Sequence, residues 1–357
     1  MENSNQQMGA AVLTEYGKIE WRHLKIPQIG DSEVLIKTKY ASICGSDQHI
    51  FKGEFHPRTQ LPLIPGHEFA GVVADFGQNV EGLKKGDLVV VDPILWCGKC
   101  PACELRHYPA CTSLKLVGVD MDGGFGEYVG VKDFMVHKIP EHIPAKHAAL
   151  VEVLSIGFHA CNRANVGKND TIAIWGAGKI GQCILQAANI KTDNSIFIVD
   201  IIEERLNIAR QIYKNIITIN AKKTDPVSEI KNHTNGRGVD VAFEAIGHAE
   251  QIRYRPEPVA ACVQAIRGAG TICVLGLSDH PVSFIMKELI WKEASIVASR
   301  VTQGEFSEAI EHLSLNHLYP DALISCEMMA SDAQRAFEQL DMAPQKYLKI
   351  LLKFDDI

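Results

Sequence analysis

A chain of 357 residues, 46% hydrophobic and 22% charged with a formal charge of -7, is long enough for two globular domains, and its mildly acidic balance gives no pull toward nucleic acid or anionic lipid. No run approaches the roughly 20 apolar residues that a membrane helix needs, and Met1–Gln7 is polar, with neither a basic flank nor an apolar signal core. Ten cysteines, four of them clustered, fit metal ligation and buried thiols in a reducing cytoplasm better than a disulfide framework.

From the N-terminus, short β-rich runs (Glu33–Lys39, Ala70–Asp75, Leu88–Val91) are broken by Gly, Pro and Asp, as in an irregular antiparallel fold. Between them Cys44 stands in Ile43-Cys44-Gly45-Ser46-Asp47-Gln48-His49, and His67 in Pro65-Gly66-His67-Glu68-Phe69-Ala70-Gly71, with Gly77 six positions later. Next come Cys97, Cys100, Cys103 and Cys111, four thiolates within fifteen residues, which match a closed tetrahedral zinc site. A closed shell leaves no position for substrate, so this zinc is structural and pins a loop poor in apolar residues. Near Glu152 the rhythm of the chain changes.

From Thr171 onward, strand-length apolar runs alternate with helix-period segments: Thr171–Trp175, Ser195–Val199, Ile216–Ile219, Val239–Glu244, Thr271–Leu275 and Ser295–Ser299. Six buried strands with helical crossovers predict a doubly wound parallel sheet. At its first turn Gly176-Ala177-Gly178-Lys179-Ile180-Gly181 sets Gly-x-Gly-x-x-Gly after a strand and at the opening of a helix, where it can cradle a pyrophosphate. Asp200, nineteen positions after Gly181, ends the second strand, where a carboxylate accepts from adenosine ribose hydroxyls and repels a 2′-phosphate, so NAD is favoured over NADP. Arg205, one turn further on, is a candidate adenosine contact, and Lys179, Ile180, Leu275 and Leu277 are taken with it as cofactor-binding positions. The helix-like segments Phe306–Asn316 and Asp332–Leu340 and a strand Lys349–Phe354 follow, and return to the first domain once the sixth strand has completed the sheet. The expected division is residues 1–155 with 300–357 as one domain and 156–299 as the other, with the cleft between them as the default active site.

The combination of Gly-His-Glu-x2-Gly-x5-Gly, the cysteine lobe and the cofactor fingerprint, spread from about Gly9 to Phe354, resembles the zinc-containing medium-chain dehydrogenases. The resemblance implies an α/β protein with a GroES-like β-rich catalytic domain and a Rossmann domain, two zinc ions per chain and NAD. It also implies that Cys44 and His67 bind a catalytic zinc, with Glu68 as a third ligand and Glu152 as a ligand or as the partner of the bound water. Glu152 marks the sorbitol, threonine and sugar-acid branch, since a cysteine stands there in the primary-alcohol branch. Val153 departs from the pattern, which commonly has proline after that glutamate, and His248–Pro258 is an insertion near the start of a Rossmann helix. An open zinc position would acidify a substrate hydroxyl, so that hydride leaves for the nicotinamide. By the same resemblance Ser46 takes the proton and His49 passes it to solvent, a task suited to imidazole.

Oxygen ligands and polar neighbours fit a secondary alcohol on a polyol or sugar acid. Arg300, directly after the last Rossmann strand, is placed to pair with a substrate carboxylate, with Phe55 and His56 as further candidate pocket residues. The alternatives are an L-threonine 3-dehydrogenase, which shares the ligands, and a non-catalytic zinc- and NAD-binding protein, against which the complete set of ligands and proton-path residues argues. Cys161, Cys183, Cys262, Cys273 and Cys326 read as small buried hydrophobes. The family resemblance further implies a homodimer or homotetramer, with a small-molecule substrate and neither nucleic acid nor membrane as partner.

Overall fold

The structure, a computed structural model, describes residues 7–213, 215–247 and 257–355. It divides into two compact units, one made of the chain up to Glu152 with Phe306–Asn316 and the segment from Leu323, the other of Val153–Glu305 with His317–Ala322.

In the first unit a hairpin, Gln7–Glu15 with Lys18–Lys25, accompanies a seven-stranded sheet. Along that sheet lie Ile324–Met329, Lys349–Lys353, Glu33–Ser42, Glu68–Phe76, Leu88–Val91 and Val136–Lys138, and Tyr128–Lys132 also pairs with Glu33–Ser42. The strand Glu33–Ser42 alternates buried and half-buried side chains over most of its length, the period-2 signature of a strand with one face on a core. That core holds Val34, Ile36, Phe69, Phe125, Phe337 and Leu352.

Strand register is what assembles chemistry here. Ser42 pairs with Glu68 and with Leu351, so Cys44, His67 and Lys349, each within two residues of those positions, are brought to one end of the sheet. Two register shifts between Glu33–Ser42 and Glu68–Phe76 bend the pair, consistent with the broken β pattern of the sequence.

The second unit is a six-stranded sheet in the order Ile216–Asn220, Ile196–Asp200, Ile172–Trp175, Val239–Glu244, Ile266–Val274, Ser295–Ala298, parallel throughout. The central strands Ile172–Trp175 and Ile196–Asp200 are buried at every residue, as apolar strands covered on both faces must be. This is the doubly wound arrangement expected, with three differences.

The fifth strand starts at Ile266, five residues before the expected Thr271. Gly268-Ala269-Gly270 looks like a break in sequence, but the strand absorbs it as a register irregularity with Ala269 at φ 56°. The sixth strand is not buried: it forms the sheet's edge, and Ser295, Ile296 and Ala298 are exposed. Finally, residues 300–305 and 317–322 stay with the second unit instead of joining the first. Glu305 accepts from Asn162 Nδ2 at 3.2 Å and lies 2.9 Å from His159 Nδ1, while Tyr319 donates its N–H to Gln186 Oε1 at 2.7 Å.

The insertion noted at His248–Pro258 falls, over residues 248–256, outside the described residues. Among the described residues no helix is long and apolar enough to cross a membrane.

Candidate active site and metal centres

Cys44 precedes the helix Gly45–Phe51 as its N-cap, in extended backbone at φ -88° and ψ 165°. Asp47, in the first turn, turns its carboxylate back to accept the Cys44 N–H at 2.7 Å, and its other oxygen lies 3.3 Å from Nδ1 of buried His67. The carboxylate thus stands beside Nδ1 within ion-pair range, the side from which an acid can orient a metal-binding imidazole.

A thiol sulfur of Cys44, a ring nitrogen of His67 and a carboxylate oxygen of Glu68 lie within 4.8 Å of one another. Glu68 is fully buried, and Lys349 Nζ, also fully buried, donates to both of its oxygens. Glu152 opens the helix Val151–Arg163; it is buried as well, and its Oε2 has no hydrogen-bond partner among the described residues.

The electrostatics of this cluster are strongly polarised. Burial opposes charge on His67, but Asp47 and Cys44 outweigh it and hold the imidazole well above its ordinary pKa. Burial and Glu68 push the Cys44 thiol up, yet Lys349 and His67 bring it below its usual value. Burial likewise acts against ionised Glu68 and is overcome by Lys349 and His67, whereas Glu152, facing burial and the negative Glu68, is driven well upward. A thiolate, an imidazole and a buried carboxylate oxygen without a hydrogen-bond partner fit a zinc ion in donor type.

The four-cysteine lobe has the other character. Its sulfurs also lie within 4.8 Å of one another, on a loop closed by the small hairpin Ile94–Leu95 with Lys115–Leu116, and Trp96 stacks on Tyr108 at 4.2 Å. Backbone donors stabilise thiolates here: the Cys97 N–H reaches Cys111 Sγ at 3.3 Å, and the N–H groups of Thr112 and Cys103 draw Cys100 down to about 6. Burial and neighbouring sulfurs push Cys103 up to about 12, so a ring of thiols this close needs a cation to ionise fully.

Ser46 is half-buried in the first turn of Gly45–Phe51, and His49 is exposed in its last turn, hydrogen-bonded through Nδ1 to Glu54 and stacked parallel to Phe55 at 6.0 Å. Phe55 packs partly against the core; His56 is exposed and its Nδ1 lies 3.2 Å from the Tyr16 hydroxyl. Arg300 is exposed and belongs to the second unit, whereas Phe55 and His56 belong to the first.

In the second unit Gly176 adopts φ 101°, and a Cβ on Gly181 would sit 1.7 Å from the Gly176 carbonyl oxygen, so the turn and the helix Lys179–Lys191 close on each other only with glycine at both. Gly178 is the N-cap of that helix, with Lys179 and Ile180 half-buried in its first turn. Asp200 is more deeply engaged than its place at a strand end implies. Its carboxylate accepts the N–H of Ala177 at 2.7 Å, inside the glycine-rich turn, and those of Ile201 at 2.7 Å and Ile202 at 2.9 Å. Arg205 Nη1 lies 3.9 Å from Asp200, Leu275 is half-buried, and Leu277 is 77% exposed. Cys161, Cys183, Cys262 and Cys273 are buried, while Cys326 is only partly so.

Sequence reading missed Asp47, Glu54 and Lys349. Asp47 was in plain view three residues after Cys44, in capping-box spacing. Lys349 carried no local signal, since 281 positions separate it from Glu68.

The family "Alcohol dehydrogenase GroES-like domain" matches residues 30–141 and "Zinc-binding dehydrogenase" residues 180–314. The chain is 31% identical to sorbitol dehydrogenase of Bacillus subtilis, covering 97% of each protein. It is 31% identical to 2-dehydro-3-deoxy-L-galactonate 5-dehydrogenase of Pseudoalteromonas atlantica, over 90% of this chain and 92% of that one, and 35% identical to L-threonine 3-dehydrogenase of Pyrococcus furiosus, over 80% of each. Among solved structures, an alcohol dehydrogenase of Escherichia coli CFT073 complexed with cofactor NADH superposes with a TM-score of 0.87 at 29% identity, covering 98% of this chain and 100% of that one.

Proposed function

This chain belongs to the zinc-binding alcohol dehydrogenases, and from that premise we propose that it oxidises a secondary alcohol on a polyol or sugar acid with NAD, using one catalytic and one structural zinc. The observation that carries the reading is the cluster of half-buried Cys44 with buried His67 and Glu68, their donor atoms within 4.8 Å of one another, with the buried carboxylate of Glu152 within electrostatic reach and Asp47 behind the histidine.

Cys44, His67 and a carboxylate would hold the catalytic ion, and Cys97, Cys100, Cys103 and Cys111 the structural one. Bound in the first set, zinc supplies a Lewis acid that makes an alcohol hydroxyl more acidic. Asp47 keeps the His67 ring oriented for that ion. Ser46, two residues from Cys44, takes the hydroxyl proton, and His49, exposed and held by Glu54, delivers it to solvent.

NAD, whose nicotinamide accepts hydride, would rest on the turn from Gly176 to Gly181. Asp200 serves it twice, fixing that turn through Ala177 and presenting negative charge where a 2′-phosphate would lie. Oxygen donors in the metal cluster favour a polyhydroxylated substrate, as do the names of the sorbitol and galactonate relatives. The exposed edge strand Ser295–Ala298, beside Ile290 and Trp291 at 65% and 75% exposure, supports a homodimer or homotetramer. Ten free cysteines support a reducing, cytoplasmic setting.

The test is NADH formation with hexitols, aldonates, threonine and simple diols, alongside NADP in place of NAD. Turnover of a hexitol or aldonate at least about tenfold above threonine, with NAD preferred, is expected. Preference for threonine moves the chain to that alternative, and absence of turnover with every alcohol, in protein carrying two zinc ions, refutes the enzyme.

A further inference from the structure

Residues 52–62 run from the end of the helix Gly45–Phe51, which carries Ser46 and His49, toward His67, so both ends of the segment adjoin the candidate active site. Most of its side chains are exposed or half-buried, Thr59 being buried, and it contains neither helix nor strand. With little apolar burial to hold it, its position depends on polar contacts. Lys52 pairs with Asp341, and the Tyr16 hydroxyl lies 3.2 Å from His56 Nδ1. At the middle of the segment Arg58 donates from Nε to Asp120 Oδ1 at 3.0 Å and from Nη2 to Oδ2 at 2.7 Å.

Asp120 stands in a second segment, residues 117–127, that is joined to the chain just ahead of His67. The N–H groups of Gly123, Phe125 and Gly124 donate to the carbonyls of Ile64, Pro65 and Gly66 at 2.7, 3.0 and 2.8 Å, and Asp122 accepts the Ile64 N–H at 2.9 Å. A Cβ on Gly123 would lie 2.1 Å from the Gly66 carbonyl oxygen, so the two backbones are in contact. Asp120 also accepts the Leu116 N–H at 2.8 Å, and its side chain is 13% exposed against 36% for Arg58. An isolated surface ion pair holds little, but a two-pronged guanidinium contact to a carboxylate already anchored by backbone holds more.

A substrate on a metal held by Cys44 and His67 is bordered by the chain that adjoins those ligands. One of these segments follows the helix that Cys44 caps, and the other packs on the residue before His67. We propose that Arg58 and Asp120 are positioning residues for the alcohol: their pair clasps the two segments together and sets the wall along which the substrate's carbon chain lies. This rests on the dehydrogenase reading given above. The clasp acts on alcohol binding rather than on the metal, since neither residue belongs to the ligand clusters, or on the cofactor, whose glycine-rich turn lies in the other unit.

Arg58→Gln and Asp120→Asn each open the clasp, and the asparagine keeps an acceptor for the Leu116 N–H. With the best alcohol of the panel above at saturating NAD, each variant should raise the alcohol KM by about tenfold, with kcat and the KM for NAD within about twofold of wild type. The double variant should be no worse than the poorer single one, because either substitution already breaks the same contact. Hydrogen exchange in peptides spanning residues 53–63 should quicken by at least about fivefold in both single variants, with the zinc count unchanged. A pair that only supports the fold would lower the melting temperature and the active fraction and leave KM unmoved, and that result overturns the proposal. Additive effects in the double variant, or unchanged exchange at residues 53–63, overturn it as well. A wild-type chain that carries two zinc ions and turns over no alcohol fails the dehydrogenase reading instead, a result visible before any substitution is made.

Discussion

The two metal centres sit in the same unit and are built on opposite plans. The lobe draws its four donors from Cys97 to Cys111 and relies on backbone N–H groups and local turns to place them. The other brings together donor atoms of residues 44, 67 and 68, with the buried Glu152 within electrostatic reach and a buried cation, Lys349, paired to Glu68. A closed set of four like ligands can be written into one loop because nothing else has to reach the ion. An open set must leave a position for substrate, and so needs unlike ligands delivered by separate strands and restrained by neighbours outside the metal's reach.

Removing one donor from each centre breaks the comparison most sharply. Cys44→Ser should lower kcat/KM by about a thousandfold or more while the lobe keeps its zinc and the fold its stability. Full activity in that variant would rule out metal-assisted oxidation at this centre. Cys100→Ser should do the reverse, costing more than about 3 kcal/mol of stability and appearing as aggregation and loss of the lobe's zinc. A stable, soluble variant with a normal zinc count would show that the lobe is not a structural site. Between these, a chelation time course on the wild-type protein should strip activity first, with circular dichroism unchanged, and unfold the lobe only later. Simultaneous loss of activity and structure would mean that the two ions are not held differently.

The same contrast governs what the sequence makes legible. The lobe is readable from spacing alone, because its donors and the turns that place them are neighbours. The parallel sheet is nearly as plain: Ile172–Trp175 and Ile196–Asp200 are apolar on both faces and bounded by glycine or acid, a pattern that tertiary context seldom overrides. The scattered centre is readable only in part. Cys44, His67, Glu68 and Glu152 come from resemblance, and Lys349 could not be found, because its place depends on the pairing of Leu351 with Ser42. The same limit hid the partition at residues 300–305 and 317–322, where a buried carboxylate, Glu305, and the contact of Tyr319 with Gln186 hold segments in the second unit that look like a plain return to the first. Edge exposure is equally invisible, since Ser295–Ala298 has a buried strand's composition but, among the described residues, no strand beyond it in the sheet.

The smallest effect, and the one that tests the contrast itself, belongs to Asp47. It touches the scattered cluster twice, through the Cys44 N–H at 2.7 Å and His67 Nδ1 at 3.3 Å, whereas backbone donors do the positioning in the lobe. Asp47→Asn keeps an acceptor for the Cys44 N–H, so the helix start should survive. What it removes is the negative charge that favours a proton on the His67 nitrogen beside it, and an amide can equally present its NH2 to the ring and favour the other tautomer. Zinc affinity at this centre, or kcat/KM, should therefore fall by about ten- to a hundredfold with the lobe's zinc unaffected. Asp47→Ala should add a loss of stability of about 1 kcal/mol from the missing contact at the helix N-terminus. If Asp47→Asn instead released zinc from both centres, or from neither, the view that the open site depends on neighbours beyond its ligands would not survive.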